Sequence, residues 1–207
     1  MDLDVMTRTR DSLHGVAEGV LAGPQYRESG TIRLRVTGTG FATVAAPALA
    51  VDGAHLVAAG RRVPLEGTFR DLAEAAGVGW GPPEGLYDDH SGVGPGDEVV
   101  VDPEAARTLA DWFARGDTAL RRVADGSTPV LWPEHFDLGV TLDEVNLGVS
   151  PGDAWSPEPY AYVGPWAEHR GEFWNAPFGA ARPMSELPDA DALVDFFTEG
   201  HRRAVAG

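Results

Sequence analysis

Residues 31–37, Thr-Ile-Arg-Leu-Arg-Val-Thr, alternate apolar and polar side chains without a break. A strand turns successive side chains to opposite faces, so Ile32, Leu34 and Val36 point to a core while Arg33 and Arg35 face away. A strand with one buried face belongs to a sheet covered on one side, which favours antiparallel pairing. Turn signals on either side extend the pattern. Gly38-Thr39-Gly40 permits a turn before 41–44, and Asp52-Gly53 separates 49–51 from 55–57 as a hairpin turn. A second alternating stretch, 135–142, is expected to place His135, Asp137 and Thr141 on one face and Phe136, Leu138, Val140 and Leu142 on the other.

Helical stripes stand beside these strands. Leu13, Val16, Ala17, Val20 and Leu21 recur at helical spacing over 11–22, where Gly23-Pro24 is expected to end the helix. Thr68 and Asp71 stand at capping-box distance ahead of a short helix with Phe69, Leu72 and Ala76 on its apolar face. Asp102-Pro103 supplies an N-cap and a first-turn proline for a helix through Ala106, Leu109, Phe113, Leu120 and Val123, with Gly116-Asp117 a candidate bend. The last helix is expected over 189–203, anchored by Leu193, Phe196 and Phe197. Between the second and third helices, residues 79–97 lose periodicity and collect Gly and Pro, so Trp80, Tyr87 and His90 lie in a loop long enough to be a lid. Together these elements predict an α+β fold, a mainly antiparallel sheet with packed amphipathic helices, in a single compact domain over 1–207.

Composition narrows the partners. A formal charge of −16 argues against broad surfaces for nucleic acid or anionic lipid, which need positive charge. The absence of cysteine excludes disulfides, Cys nucleophiles and thiolate metal sites. The first 21 residues lack the basic and uninterrupted apolar regions of a signal peptide, and no run reaches the roughly 18 apolar residues of a membrane helix. A soluble, cytoplasmic protein is therefore expected, with neither a nucleic-acid nor a membrane partner.

The chemistry-bearing residues concentrate in 131–179. Four segments stand out: Leu131-Trp-Pro-Glu-His-Phe-Asp-Leu-Gly, Ser150-Pro-Gly-Asp, Pro157-Glu-Pro-Tyr-Ala-Tyr-Val-Gly-Pro-Trp166 and Phe173-Trp-Asn-Ala-Pro-Phe-Gly179. In this pattern the chain resembles an uncharacterised actinobacterial protein family over most of its length. The resemblance implies one domain and brings no activity with it.

From the residues alone, His135, Asp137 and Glu158 are candidate catalytic groups. An imidazole near neutral pKa suits proton transfer, and Glu134 or Asp137 can tune it. The same three side chains also suit a mononuclear divalent cation such as Zn, Mn or Fe. Tyr160 and Tyr162 share a face if 160–163 is a strand, and with Trp155 they offer an aromatic wall to a ligand. Asn146 and Asn175 add directional hydrogen bonds. There is no Walker A loop, Rossmann fingerprint, His-Glu-x-x-His pair or Gly-x-Ser-x-Gly elbow, so no cofactor and no reaction class is indicated. The leading expectation is small-metabolite binding in a His/Asp/Tyr-lined pocket, with acid–base catalysis an open extension. The competing readings are a non-catalytic protein-interaction module built on the aromatic loops, and a mononuclear metal-dependent enzyme.

Overall fold

The computed structural model describes residues 2–87 and 90–206 and shows an α+β fold. Its contacts group into two compact units: residues 1–111 with 131–136, and residues 112–130 with 137–207. Among the described residues, no helix is long and apolar enough to cross a membrane.

The first unit opens with a helix that is longer than its hydrophobic stripe suggested. α1 (Leu3–Gly15) passes into a π-helical stretch, Val16–Ala22, and on into α2 (Gly23–Ser29), so Gly23-Pro24 lies inside the helix and does not end it. Proline lacks the N–H that an α-helix would bond to the carbonyl four residues back, and a π turn would bond to the one five back. In the π register the Gly23 amide reaches the Glu18 carbonyl. The Gly19 carbonyl, which Pro24 cannot serve, instead accepts from the Gly81 amide at 3.0 Å. A neighbouring loop thus replaces the missing helical donor. The true stop is Gly30, in the left-handed conformation at φ 69°.

Strands β1 (Leu34–Thr37), β2 (Gly40–Thr43), β3 (Leu49–Asp52), β4 (His55–Ala58) and β5 (Arg61–Pro64) form an antiparallel meander. The expected turn at Asp52-Gly53 is present, with Gly53 at φ 57°. β6 (Val130–Trp132) joins the other edge of this meander through the pairing of Leu34 with Leu131. Gln25, fully buried in α2, ties helix to sheet. Its amide nitrogen donates to the Thr31 and Arg33 carbonyls, and its oxygen accepts from the Val44 and Ala45 amides. Every polar valence of this buried amide is therefore met. α3 (Phe69–Ala76) carries the complete Thr68/Asp71 capping box.

Asp102 caps α4 (Pro103–Val123) through the Glu104 and Ala105 amides, and the helix runs unbroken through Gly116-Asp117. Gly116 serves close packing: a Cβ there would stand 3.0 Å from Val149 Cγ1. The second unit's strands, β7 (Asp137–Leu142), β8 (Val145–Ser150), β9 (Tyr160–Pro165) and β10 (Ala180–Pro183), pair in chain order, all antiparallel. A 3-10 turn, Met184–Glu186, leads to α5 (Ala190–Val205), capped by Asp189. Leu138, Leu147, Val149, Ala161 and Val163 form the buried face of this sheet, and Gly200 of α5 lies against Val163.

The expected strand over 135–142 begins two residues late. Residues 133–136 form a turn in which Phe136 takes φ 52°, and the strand starts at Asp137. The turn delivers Phe136 to the first unit's core, where it stacks on His14 at 5.5 Å and meets Phe41 edge-on at 5.4 Å. That burial outweighs the cost of a left-handed aromatic residue. His135 consequently lies in the turn and does not share a strand face with Asp137 and Thr141.

His14 itself predicts an acid sensitivity. Burial lowers its pKa below the ordinary 6.5, and its Nε2 donates to the Pro133 carbonyl. Below about pH 6.5 the unfolded chain takes up a proton that the folded chain resists. The contribution is complete above that value and falls away as pH drops toward the folded pKa. Thermal melts at pH 7.5 and 5.5 are expected to show a smaller acid-induced fall in Tm for His14→Phe than for the wild type; equal falls would remove His14 as the cause.

Candidate functional site

In the second unit, strand register gathers one group of the expected ligand residues. Pairing of Gly139 with Gly148, and of Gly148 with Tyr162, puts Asp137, Gly139 and Thr141 on the same face as Asn146, Gly148 and Ser150 and as Tyr160 and Tyr162. The two glycines leave a trough across three strands, and the Tyr162 phenol lies along it. A Cβ at residue 148 would stand 2.5 Å from Tyr162 Cζ, and one at 139 would stand 2.9 Å from its hydroxyl. Reaching over both glycines, the Tyr162 hydroxyl donates a hydrogen bond to Asp137.

Tyr160 makes the same kind of pair with a different carboxylate. Its hydroxyl donates to Asp153 Oδ2 at 2.6 Å, while Asp153 Oδ1 accepts from the Trp155 and Ser156 amides. The loop aspartate is thereby held from three directions. Burial, followed by the charge of Asp137, raises the Tyr162 pKa well above its ordinary value. Burial also raises that of Tyr160, with its bond to Asp153 adding to the effect. Both residues stay protonated phenols at neutral pH and act as hydrogen-bond donors to Asp137 and Asp153.

Around these phenols the rings close into one cluster. Trp155 meets Tyr160 and Phe178 edge-on at 5.0 and 5.1 Å, and Phe178 stacks on Tyr160 at 6.0 Å and meets Tyr162 edge-on at 6.3 Å. These separations are those of packed aromatic pairs. Trp155, 44% exposed, carries the cluster to the surface.

Other expected site residues have different roles. Asn146 accepts from Thr141 at 2.8 Å and from Trp166 Nε1 at 3.4 Å, at the far end of the same sheet face. Asn175 is committed to structure, since its amide group bonds both the carbonyl and the amide of Ala181. Glu158 enters through its main-chain carbonyl, which accepts from Ser156. His135 lies in the first unit, 58% exposed and 3.8 Å from Glu134. Among the described residues, no group of three or more His, Asp or Glu side chains is arranged to hold a metal ion.

Sequence reasoning missed a polar centre in the first unit. Glu18 sits in the π-helical stretch, 3% exposed, and takes hydrogen bonds from His90 and Ser91. The loop bearing these residues crosses the helix over Gly15, Gly19 and Gly23, where Val93, Trp80 and the Gly81 carbonyl respectively occupy the space a Cβ would need. Arg27 secures the same loop through the Gly79 and Gly81 carbonyls. The available signal was a lone glutamate within an apolar stripe whose glycines recur every four residues.

Comparison with protein-family models, curated proteins and solved structures returns no match for this chain.

Proposed function

We propose that the second unit binds a small metabolite, with Asp137, Tyr160, Tyr162 and Trp155 as the recognising groups. The observation that carries this reading is the pair of phenol–carboxylate bonds, Tyr162 to Asp137 and Tyr160 to Asp153. They fix the polar ends of an aromatic cluster before any ligand arrives, which lowers the ordering cost of binding. Purely structural packing would be served equally well by phenylalanines, without placing two carboxylates at the core edge.

The test is native purification followed by mass spectrometry of retained small molecules, with hydrogen exchange to locate the bound one. Protection of 137–178 is expected, and Tyr162→Phe is expected to weaken binding about tenfold, the equivalent of one hydrogen bond. A retained molecule that protects other segments would move the site elsewhere. A second reading, a protein-interaction surface, rests on the exposure of Trp155 and of Trp166, which is 66% exposed. If Trp166→Ser abolishes association with a partner protein while metabolite binding is absent, that reading prevails.

A further inference from the structure

The sheet of the first unit has two unlike faces. On one, Leu34, Phe41, Val51 and Leu56 are buried; Phe41 meets the Phe136 ring that stacks on His14 of α1, and Arg61 donates to the Ala75 carbonyl of α3. That is the side the helices pack on. Strand pairing aligns Arg35, Ala42, Ala50, Val57 and Arg62 in a row across β1 to β5, on the opposite side. Arg33, two residues before Arg35, lies with its guanidinium 5.8 Å from the Trp132 ring and extends the same side. Val44, two residues beyond Ala42, is 50% exposed there.

A sheet face left open to water ordinarily carries polar side chains, with charges of both signs. Here the middle of the row is small and apolar, and an arginine stands at each end. The chain has 32 acidic residues and a formal charge of −16, yet Asp52 is the only carboxylate on β1 to β5, and it is already bonded to Arg62. Arg33 and Arg35 are exposed and make no ion pair among the described residues. Arginine and an aromatic ring around apolar floor, with carboxylates depleted, is the composition of a protein interface and not of a solvated face.

We propose that this face docks an acidic, partly apolar segment of a partner protein. The segment's carboxylates pair with Arg33 and Arg35, whose planar guanidiniums match a carboxylate through two parallel hydrogen bonds. Its apolar side chains lie over Val44, Ala50 and Val57. Arg33 and Arg35 are about 7 Å apart along the chain, which is also the spacing of alternate side chains on an extended partner. Arg35 and Arg62 stand four strand spacings apart, roughly 19 Å, a width that suits a length of chain and exceeds a single small anion. Charge selects the face as well as the partner: an acidic segment is repelled by the acidic remainder of the molecule and attracted here. The surface is separate from the phenols and carboxylates of the second unit, so the two proposals stand or fall independently.

The probe is a fluorescein-labelled peptide of Glu-Glu-Leu repeats, long enough to cross the five strands, titrated with the full chain and followed by fluorescence anisotropy. Saturable binding that weakens with added salt is expected, and the Gln-Gln-Leu analogue is expected not to bind. The double variant Arg33→Ser/Arg35→Ser should lose about tenfold in affinity. Arg70→Ser/Arg107→Ser makes the same change of charge at exposed positions of α3 and α4, and should keep the wild-type affinity to within about twofold. Val44→Asp sets a like charge against the segment and should abolish binding. All five side chains are exposed, so thermal melts of the variants should match wild type. Absence of saturable binding by the wild type, or equal loss in the two double variants, overturns the proposal. Dimerisation seen by light scattering and lost in Arg33→Ser/Arg35→Ser would give the face to a second copy of this chain, and tighter binding of duplex DNA lost in the same variant would give it to nucleic acid; either result overturns the acidic segment as its occupant.

Discussion

Gly148→Ala is expected to destabilise the protein by about 2–4 kcal/mol and to abolish ligand recognition at the second unit, although it adds one methyl group. The new Cβ would stand 2.5 Å from Tyr162 Cζ and 2.6 Å from the Leu138 carbonyl oxygen. One of these contacts is backbone in a paired strand and cannot yield, so the phenol must leave the trough. Its departure breaks the hydrogen bond from the Tyr162 hydroxyl to Asp137 and opens a gap among Tyr160, Phe178 and Trp155. Urea unfolding should show a lower midpoint at unchanged slope. Tyr162→Phe, which removes only the hydroxyl, should cost about 1 kcal/mol. If Gly148→Ala and Tyr162→Phe prove equally mild, the trough does not hold the ring as described.

The fold was legible where local rules and tertiary packing agree. The Asp52-Gly53 turn, the Thr68/Asp71 capping box and the Asp102-Pro103 helix start each depend on residues within four positions of one another, and all form as their sequence implies. The long first helix departs from its local signal because Gly23-Pro24 is a stop only in isolation. It is overridden by Gly81, 62 positions beyond Gly19, whose amide serves the carbonyl that Pro24 cannot. The β7–β8 turn was invisible for another reason. Asp143 and Glu144 both take positive φ, at 49° and 62°, without any glycine, and Asp143 is steadied by His201 Nε2 at 3.1 Å. Long-range partners of this kind leave no local mark.

The sites divide in the same way. Tyr160 and Tyr162 were recognisable as a pair because the strand period alone puts alternate residues on one face. Their carboxylate partners were half visible: Asp137 shares the face by pairing through β8, whereas Asp153 arrives from a loop whose path no periodicity describes. A continuous strand would put His135 beside Asp137, and the turn that buries Phe136 interrupts that strand. Glu18 passed unnoticed because its partners, His90 and Ser91, are 72 and 73 positions away.

Trp112→Ala is expected to be the most damaging single truncation, costing about 3–5 kcal/mol. The indole is fully buried on α4, and its Nε1 donates to the Ser150 carbonyl at 2.9 Å. Ser150 is the last residue of β8, paired with Tyr160 across the strand. The bond therefore fixes the end of the sheet at the point where the Pro151–Asp153 turn leaves to meet the Tyr160 hydroxyl. Alanine would leave a large cavity and an unserved buried carbonyl, and Arg115, which lies over the Trp112 ring at 5.1 Å, would lose its cation–π contact. Trp112→Phe keeps most of the volume and removes only the N–H, so it separates the two effects: about 1–2 kcal/mol is expected from the lost hydrogen bond and the remainder from the cavity. Hydrogen exchange should then show residues 150–160 opening more readily in Trp112→Phe than in wild type. Unchanged exchange there, with full loss of stability in Trp112→Ala, would confine Trp112 to filling the core and detach it from the site.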